Sequence, residues 1–397
     1  MALTPLSEAL ELILATAVAR PEREVGARGA AANRFCAEAI CADRARPPAD
    51  NSAMDGYAVA SRDVPGVLSV SQRVPAGQAP APLQEGTAAR IFTGAEIPEG
   101  ADSVVLQEEA QVLAEGVKLP AATSGQHIRR RGDDIRPGDR LVVAGQRMAP
   151  QDIGLLASVG IDALKVFRPL TVAVLTTGDE LREPGSGDLS PGQIYNSNRF
   201  SLAAQLGALG MTVLDLGNIP DDPERVGEAL EHAAAEADCV VTAGGVSVGE
   251  EDHVRSQIES RGSLNLWKLA IKPGKPLAFG EVCGTPIFGL PGNPVSAFIT
   301  FALVAKPWLI ARQGGRVTPA LRFPVQAAFT VSRPGSREEF LRVQLLGAGT
   351  AMRAQLARSQ SSGVLSSLSE ADAVAVIAPG TTVAEGDWLE VMPLSAL

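Results

Sequence analysis

The sequence predicts a multidomain protein of the α/β plus β class. Its centre is a doubly wound α/β ligand-binding domain, joined by a β insert domain, an N-terminal helical domain and a C-terminal β-barrel-like domain. Three observations carry this. The chain has 397 residues, too many for one core. Residues 169–318 alternate short apolar runs with amphipathic stretches, the pattern of buried parallel strands between helices. Residues 46–135 and 319–397 consist of short β-type runs punctuated by Gly and Pro.

Taken in order, Thr4 is placed to cap a helix with Pro5 at its first position, and Leu6, Leu10, Ile13, Leu14 and Ala17 share one face. A second, Ala-rich helix is expected around residues 30–39. The text changes at Arg46-Pro47-Pro48, where a β insert begins, with runs at Val67–Val74, Ala88–Thr93 and Ser103–Leu106. Residues 136–168 hold a strand near Leu141 and a short helix from Pro150. They are expected to return to residues 1–45 as a discontinuous domain. The α/β pattern then reads Leu170–Leu175 (strand), 198–209 (helix), Thr212–Leu216 (strand), a helix opened by Asp222-Pro223, and Cys239–Thr242 (strand). From 319 onward, alternation in Phe340–Leu345, Asp372–Ile377 and Trp388–Val391 predicts a small barrel or sandwich.

Composition excludes several functions. A net charge of −10 argues against nucleic-acid or anionic-membrane binding, both of which need a basic face. The longest apolar run, Val295–Ala305, is too short for a bilayer, and the N-terminus lacks a basic, apolar leader, so the expected location is the cytoplasm. Four cysteines without a C-x-x-C pair and three histidines speak against structural zinc and for free, buried thiols.

The chemistry concentrates at strand ends. Residues Thr242–Asp252 follow a buried strand with Gly244, Gly245 and Gly249, Ser247 and a terminal Asp252. Glycines let backbone N–H groups approach an anion, and Asp252 is placed to hold a cation at its edge. Gly245-Val246-Ser247-Val248-Gly249 also matches a serine-hydrolase elbow, but the only later histidine is His253, too near to complete a triad. Thr176-Thr177-Gly178-Asp179-Glu180-Leu181 follows the first α/β strand, and its carboxylates emerge on the same sheet edge. Asp222 is accounted for as a helix cap, whereas Asp221 is not. Lys268, Lys272 and Lys275 bracket a Pro-Gly turn pinned between apolar segments, suited to facing a phosphate. Pro291-Gly292-Asn293-Pro294 opens an apolar helix: Asn293 is either its cap or part of an anion site at its N-terminus. Ser52–Val59 and Arg129–Ile135 read, by spacing alone, as charged loops. No Walker loop precedes Lys275.

Together these strings resemble the molybdopterin molybdenumtransferases, a family that includes bacterial molybdenum insertases and the E domain of gephyrin. The markers are Ser52–Val59, Phe92-Thr93-Gly94-Ala95, Arg131–Ile135, Thr177–Leu181, Gly244–Gly249, Lys272–Pro276 and Pro291–Pro294, in order along almost the whole chain. The resemblance implies a four-domain, elongated homodimer whose α/β domain binds the pterin and whose β insert completes the partner's site. It implies the reaction of adenylylated molybdopterin with molybdate to give molybdenum cofactor and AMP, with Mg²⁺ required. On that basis Glu180, Asp221 and Asp252 are assigned to the cation and phosphate end. Asp55 and Asp134 enter from the other subunit. Thr93, Arg129, Gly244, Gly245, Ser247, Gly249, Lys268, Lys272, Lys275, Pro291, Asn293 and Pro294 bind substrate. Implied partners are the molybdopterin adenylyltransferase and molybdoenzyme acceptors. Two other readings compete. A molybdopterin adenylyltransferase shares the α/β domain but should need only residues 169–318. A gephyrin-like scaffold would cluster partners without catalysis.

Overall fold

A computed structural model of the chain describes residues 3–19, 23–245 and 253–397. At its centre is a six-stranded sheet in the order Thr212–Ile219, Thr171–Thr177, Cys239–Ala243, Thr285–Leu290, Pro276–Val282, Gly262–Lys268. The first four strands are mutually parallel. The last two pair antiparallel, so the sheet is mixed rather than wholly parallel. The cause is local: Pro276–Val282 and Thr285–Leu290 are joined by Cys283-Gly284, both at positive φ. Such a two-residue turn makes a hairpin, and a hairpin is antiparallel.

Alternation along the strand Thr171–Thr177 sends Val172 and Val174 to one face and Ala173 and Leu175 to the other. The first face packs on the helix Asn198–Ala208 and on the helical run Pro294–Arg312. The second packs on the helices Pro223–Glu236 and His253–Arg261. Asp222 caps Pro223–Glu236 by accepting the Arg225 amide.

The apolar run read as Val295–Ala305 continues to Arg312, giving one helix long and apolar enough to cross a membrane by length and composition. A π turn at Phe301–Ala305 interrupts it, which accommodates Pro307 and its missing N–H. Val295, Ile299, Val304, Trp308 and Leu309 are buried in the first core, so this is the core helix of the α/β unit.

The first helix spans Leu6–Leu14, and Thr4 does not cap it. Thr4 instead bridges the edge of the central sheet, its amide donating to the Lys268 carbonyl. Its buried residues, Ala9 and Ile13, join the α/β core. The expected helix around 30–39 is absent. A 3₁₀ turn, Arg28–Ala31, leads into extended chain, where Phe35 bridges Arg147 and Cys36 bridges Val166. Tertiary pairing overrides alanine's helix preference here. Arg23–Ala27 pairs with Ala163–Phe167, and Ile40–Cys41 with Arg140–Val142, so residues 136–168 do return to the N-terminal segment.

The insert holds a six-stranded sheet that includes Gly56–Val59, Gly66–Val74, Thr87–Ile91 and Ser103–Leu106. In the C-terminal sheet, Glu338–Leu346 pairs with both Arg353–Leu356 and Ala373–Ile377. Phe323–Ala327 and Trp388–Pro393 complete a closed, barrel-like ring. Two cysteines, Cys36 and Cys239, are buried. Cys41 and Cys283 are exposed, contrary to the expectation for free thiols.

Candidate active site

Strands two, one and three of the α/β unit lie side by side in that order, so the chain leaves strands one and three in opposite directions. This reversal opens a crevice at their carboxyl ends. A cleft of about 660 Å³ lies there, within the usual range for small-molecule sites. Thr177 and Glu180 line it from the first strand, Ala243 and Gly244 from the third, and Pro291 to Pro294 from the following one. Tyr195 to Asn198 form a further wall, and Gly363 and Leu365 reach in from the C-terminal unit.

Glycine is required twice in the third-strand loop. Gly244 and Gly245 have φ of 95° and 64°. A Cβ on Gly245 would lie 2.5 Å from Val254 Cγ2 and 2.8 Å from Thr177 Oγ1. Ser247, Gly249 and Asp252, predicted from this loop, lie outside the described residues.

A polar chain holds the first-strand loop. The buried Asn196 amide donates to Thr176 Oγ1 (2.7 Å), the Thr176 hydroxyl donates to Asn218 Oδ1 (3.3 Å), and Asn218 Nδ2 donates to the Gly178 carbonyl (3.0 Å). Glu180 folds its carboxylate back over Gly178, where a Cβ would lie 2.4 Å from Glu180 Oε2. Asp179 and Asp221 exchange bonds: each backbone N–H donates to the other's carboxylate, at 3.3 and 3.2 Å. Two like charges are thereby held together at the ends of neighbouring strands.

The helix N-terminus is used differently from the expectation. Asn293 sits at the N-cap position without a side-chain cap bond, and the Val295 amide donates to the Ser362 carbonyl. Asn198 Nδ2 donates to the Gly292 carbonyl at 2.7 Å, fixing the loop against the wall opposite.

The lysines flank this cleft without lining it, although Pro276 does. Lys275 is exposed, Lys268 ends its strand, and Lys272 is ion-paired with Glu339 at 3.2 Å.

Among the described residues, none that lines the cleft comes from the insert. There Asp55 Oδ1 accepts both the Thr93 amide (2.7 Å) and the Thr93 hydroxyl (2.8 Å). The amide bond above all holds the Asp55 carboxyl below the usual carboxylate range. Thr93 is thus engaged in fixing Asp55. Asp134 pairs with Arg46 at 3.2 Å, and Arg129 is exposed, on a two-residue strand opposite Asn51.

Sequence reasoning placed Asp179 in the first-strand motif without giving it a role, and it missed Asn196, Asn198 and the loop 359–367. That loop is organised by Arg342, 1 % exposed, which donates to the Ser359 and Ser361 carbonyls and to Ser367 Oγ. A signal existed: Arg342 shares the strand face of Phe340, which packs against the α/β core while Leu341 and Val343 fill the barrel, so an arginine stands where an apolar side chain is expected.

Fold and cleft together define a multidomain α/β protein with a cleft of small-molecule size at a topological switch point. Comparison with known proteins narrows this. Residues 4–160 match the family described as "MoeA N-terminal region (domain I and II)", 173–311 the "Probable molybdopterin binding domain", and 324–394 the "MoeA C-terminal region (domain IV)". The molybdopterin molybdenumtransferase of Haemophilus influenzae is 45 % identical over 294 residues, covering 72 % of this chain and 71 % of the relative. That of Synechococcus elongatus is 36 % identical over 414 residues, covering 98 % and 99 %. The crystal structure of the molybdopterin biosynthesis moeA protein from Pyrococcus horikoshii OT3 superposes with a TM-score of 0.83 at 27 % identity, covering 99 % of this chain and 100 % of the other. The chain belongs to the molybdopterin molybdenumtransferase family and is a transferase of molybdenum cofactor biosynthesis. Matches on both sides of the α/β unit set aside the reading that only residues 169–318 matter.

Proposed function

We propose that the protein transfers molybdenum from molybdate to the dithiolene of adenylylated molybdopterin, with release of AMP. The observation that carries this is the cleft at the strand ends of the matched pterin-binding unit, with a paired Asp179 and Asp221 held on the neighbouring loops. The donor chemistry suits Mg²⁺, an oxygen-seeking ion that takes one or two carboxylates and completes its shell with phosphate oxygens and water. Two carboxylates bridged through each other's backbone relieve their repulsion best with a dication between substrate and protein. Asp179 and Asp221 would hold it; among the described residues no third carboxylate, histidine or cysteine groups with them, so Glu180 stays nearby on the same loop and Asp252 is the further ligand the sequence assigns. When bound, Mg²⁺ neutralises the pyrophosphate and stabilises the leaving phosphate.

The chain's own groups do the rest. Gly244 and Gly245 let the backbone come close to an anion. Asn198 and the buried Asn196 chain keep the cleft walls in register, and Leu181 and Leu365 add apolar lining. Lys268, Lys272 and Lys275 offset the charge of molybdate and pyrophosphate. Asp55, Asp134, Thr93 and Arg129 act on the partner's cleft in a homodimer. That reading is supported by the insert's absence from its own chain's cleft lining. The same function carries contacts with the molybdopterin adenylyltransferase and with molybdoenzyme acceptors, in the cytoplasm.

The reaction is tested by following AMP on addition of molybdate to protein, adenylylated molybdopterin and Mg²⁺; release that does not depend on molybdate contradicts it. Lys275→Ala is expected to weaken pterin binding by about 1–3 kcal/mol, the range of a charge-assisted hydrogen bond. Folding should not change, because Lys275 is exposed. Calorimetry showing wild-type affinity removes Lys275 from the site.

A further inference from the structure

The lysine turn is anchored to the C-terminal unit. Ile271 and Lys272 pair in parallel with Glu338 and Glu339, extending the C-terminal sheet. Two further bonds reinforce that junction: the Glu338 amide donates to the Ala270 carbonyl (2.8 Å), and Arg337 Nη1 donates to the Ile271 carbonyl (3.0 Å). The side chains complete it. Lys272 Nζ lies 3.3 and 3.2 Å from the two carboxylate oxygens of Glu339. The Glu339 side chain is 14 % exposed and that of Lys272 49 %, so the carboxylate is the fixed partner and the ammonium the accessible one.

We propose that Glu339 is a positioning residue that latches Lys272, so that an oxyanion reaching this lysine competes with the Glu339 carboxylate. The proposal rests on Lys272 being an anion-binding group. A lysine has three donors, and Glu339 occupies its inner side. An anion on the outer side gains the ammonium charge but meets the carboxylate charge just behind it. Glu339 therefore sets a threshold that only a well-placed, multiply charged ligand overcomes. It also ties the turn's position to the C-terminal unit, so that this unit takes part in ligand binding.

The test measures the dissociation constants of molybdate and of inorganic pyrophosphate for wild type, Glu339→Gln, Glu339→Asp, Lys272→Ala and the Lys272→Ala/Glu339→Gln double variant. Thermal melts verify the fold of each. Loss of one partly screened charge at this range predicts about three- to tenfold tighter binding in Glu339→Gln. Glu339→Asp should stay near wild type, and Glu339→Gln should give no gain on the Lys272→Ala background. A purely structural role would instead weaken binding, whether or not Lys272 is present. Equal affinity in wild type and Glu339→Gln, or a gain that persists without Lys272, overturns the proposal. Labelling of Lys272 by a water-soluble acylating reagent, read by peptide mass, gives a decision without any ligand. The latch predicts faster labelling in Glu339→Gln, and unchanged labelling overturns it. If wild type binds neither anion while the labelling rates differ, the latch stands and the functional reading fails.

Discussion

Mixing Asp55→Ala protein with Asp221→Ala protein should restore about a quarter of wild-type activity to two preparations that each have almost none. Asp55 is locked onto Thr93 in the insert, and Asp221 onto Asp179 at the central strand ends. The insert supplies no lining to its own chain's cleft. In a homodimer with shared sites, Asp55 of one chain serves the Asp221 end of the other. A mixed dimer then has one site with both residues intact. Random exchange makes about half the dimers mixed, each with one of two sites working. Subunit exchange is verified by native mass spectrometry. Exchange without recovery contradicts the shared site.

Arg342→Ala is expected to cost about 3 kcal/mol or more of stability. Arg342 is 1 % exposed and its guanidinium has three polar partners, two of them the carbonyls of Ser359 and Ser361. Burial depresses its pKa, yet it remains the donor that satisfies both carbonyls. Truncation leaves them unpaired, at about 1–3 kcal/mol each, and opens a void. The loop they belong to presents the Ser362 carbonyl to Val295 and places Gly363 and Leu365 in the cleft wall. AMP release should therefore fall with stability. Arg342→Lys should rescue neither fully, because an ammonium lacks the planar fork that reaches two carbonyls and a hydroxyl. A urea midpoint for the C-terminal transition equal to wild type contradicts this account.

The α/β unit was legible because its strands are continuous apolar runs and its helices keep a 3.6-residue period. Strand ends then located the loops carrying Glu180, Gly244 and Asn293 beside one cleft. Local propensity misled where tertiary pairing decides. Ala30 to Ala39 reads as helix, but Phe35 and Cys36 are drawn into bridges with residues more than a hundred positions away. The antiparallel edge depended on a Cys-Gly turn that ordinary turn signals underweight. The lysines were recognised by charge, yet charge does not reveal that Lys272 already has a partner in Glu339. Asn196 and Asn198 escaped because an asparagine-rich stretch before a helix looks like a capped loop. Only the fold shows that one is buried against Thr176 and the other reaches Gly292. The family itself was legible from the order of short motifs, none of which is specific alone.

The most direct test of the central claim uses two arms with the same purified protein and Mg²⁺. In the first, adenylylated molybdopterin and molybdate are supplied, and AMP and protein- or pterin-bound molybdenum are both quantified. In the second, unmodified molybdopterin and ATP are supplied, and pyrophosphate is followed. The account predicts one AMP per molybdenum transferred in the first arm and no pyrophosphate in the second. Pyrophosphate release in the second arm, or AMP without molybdenum transfer in the first, would contradict it.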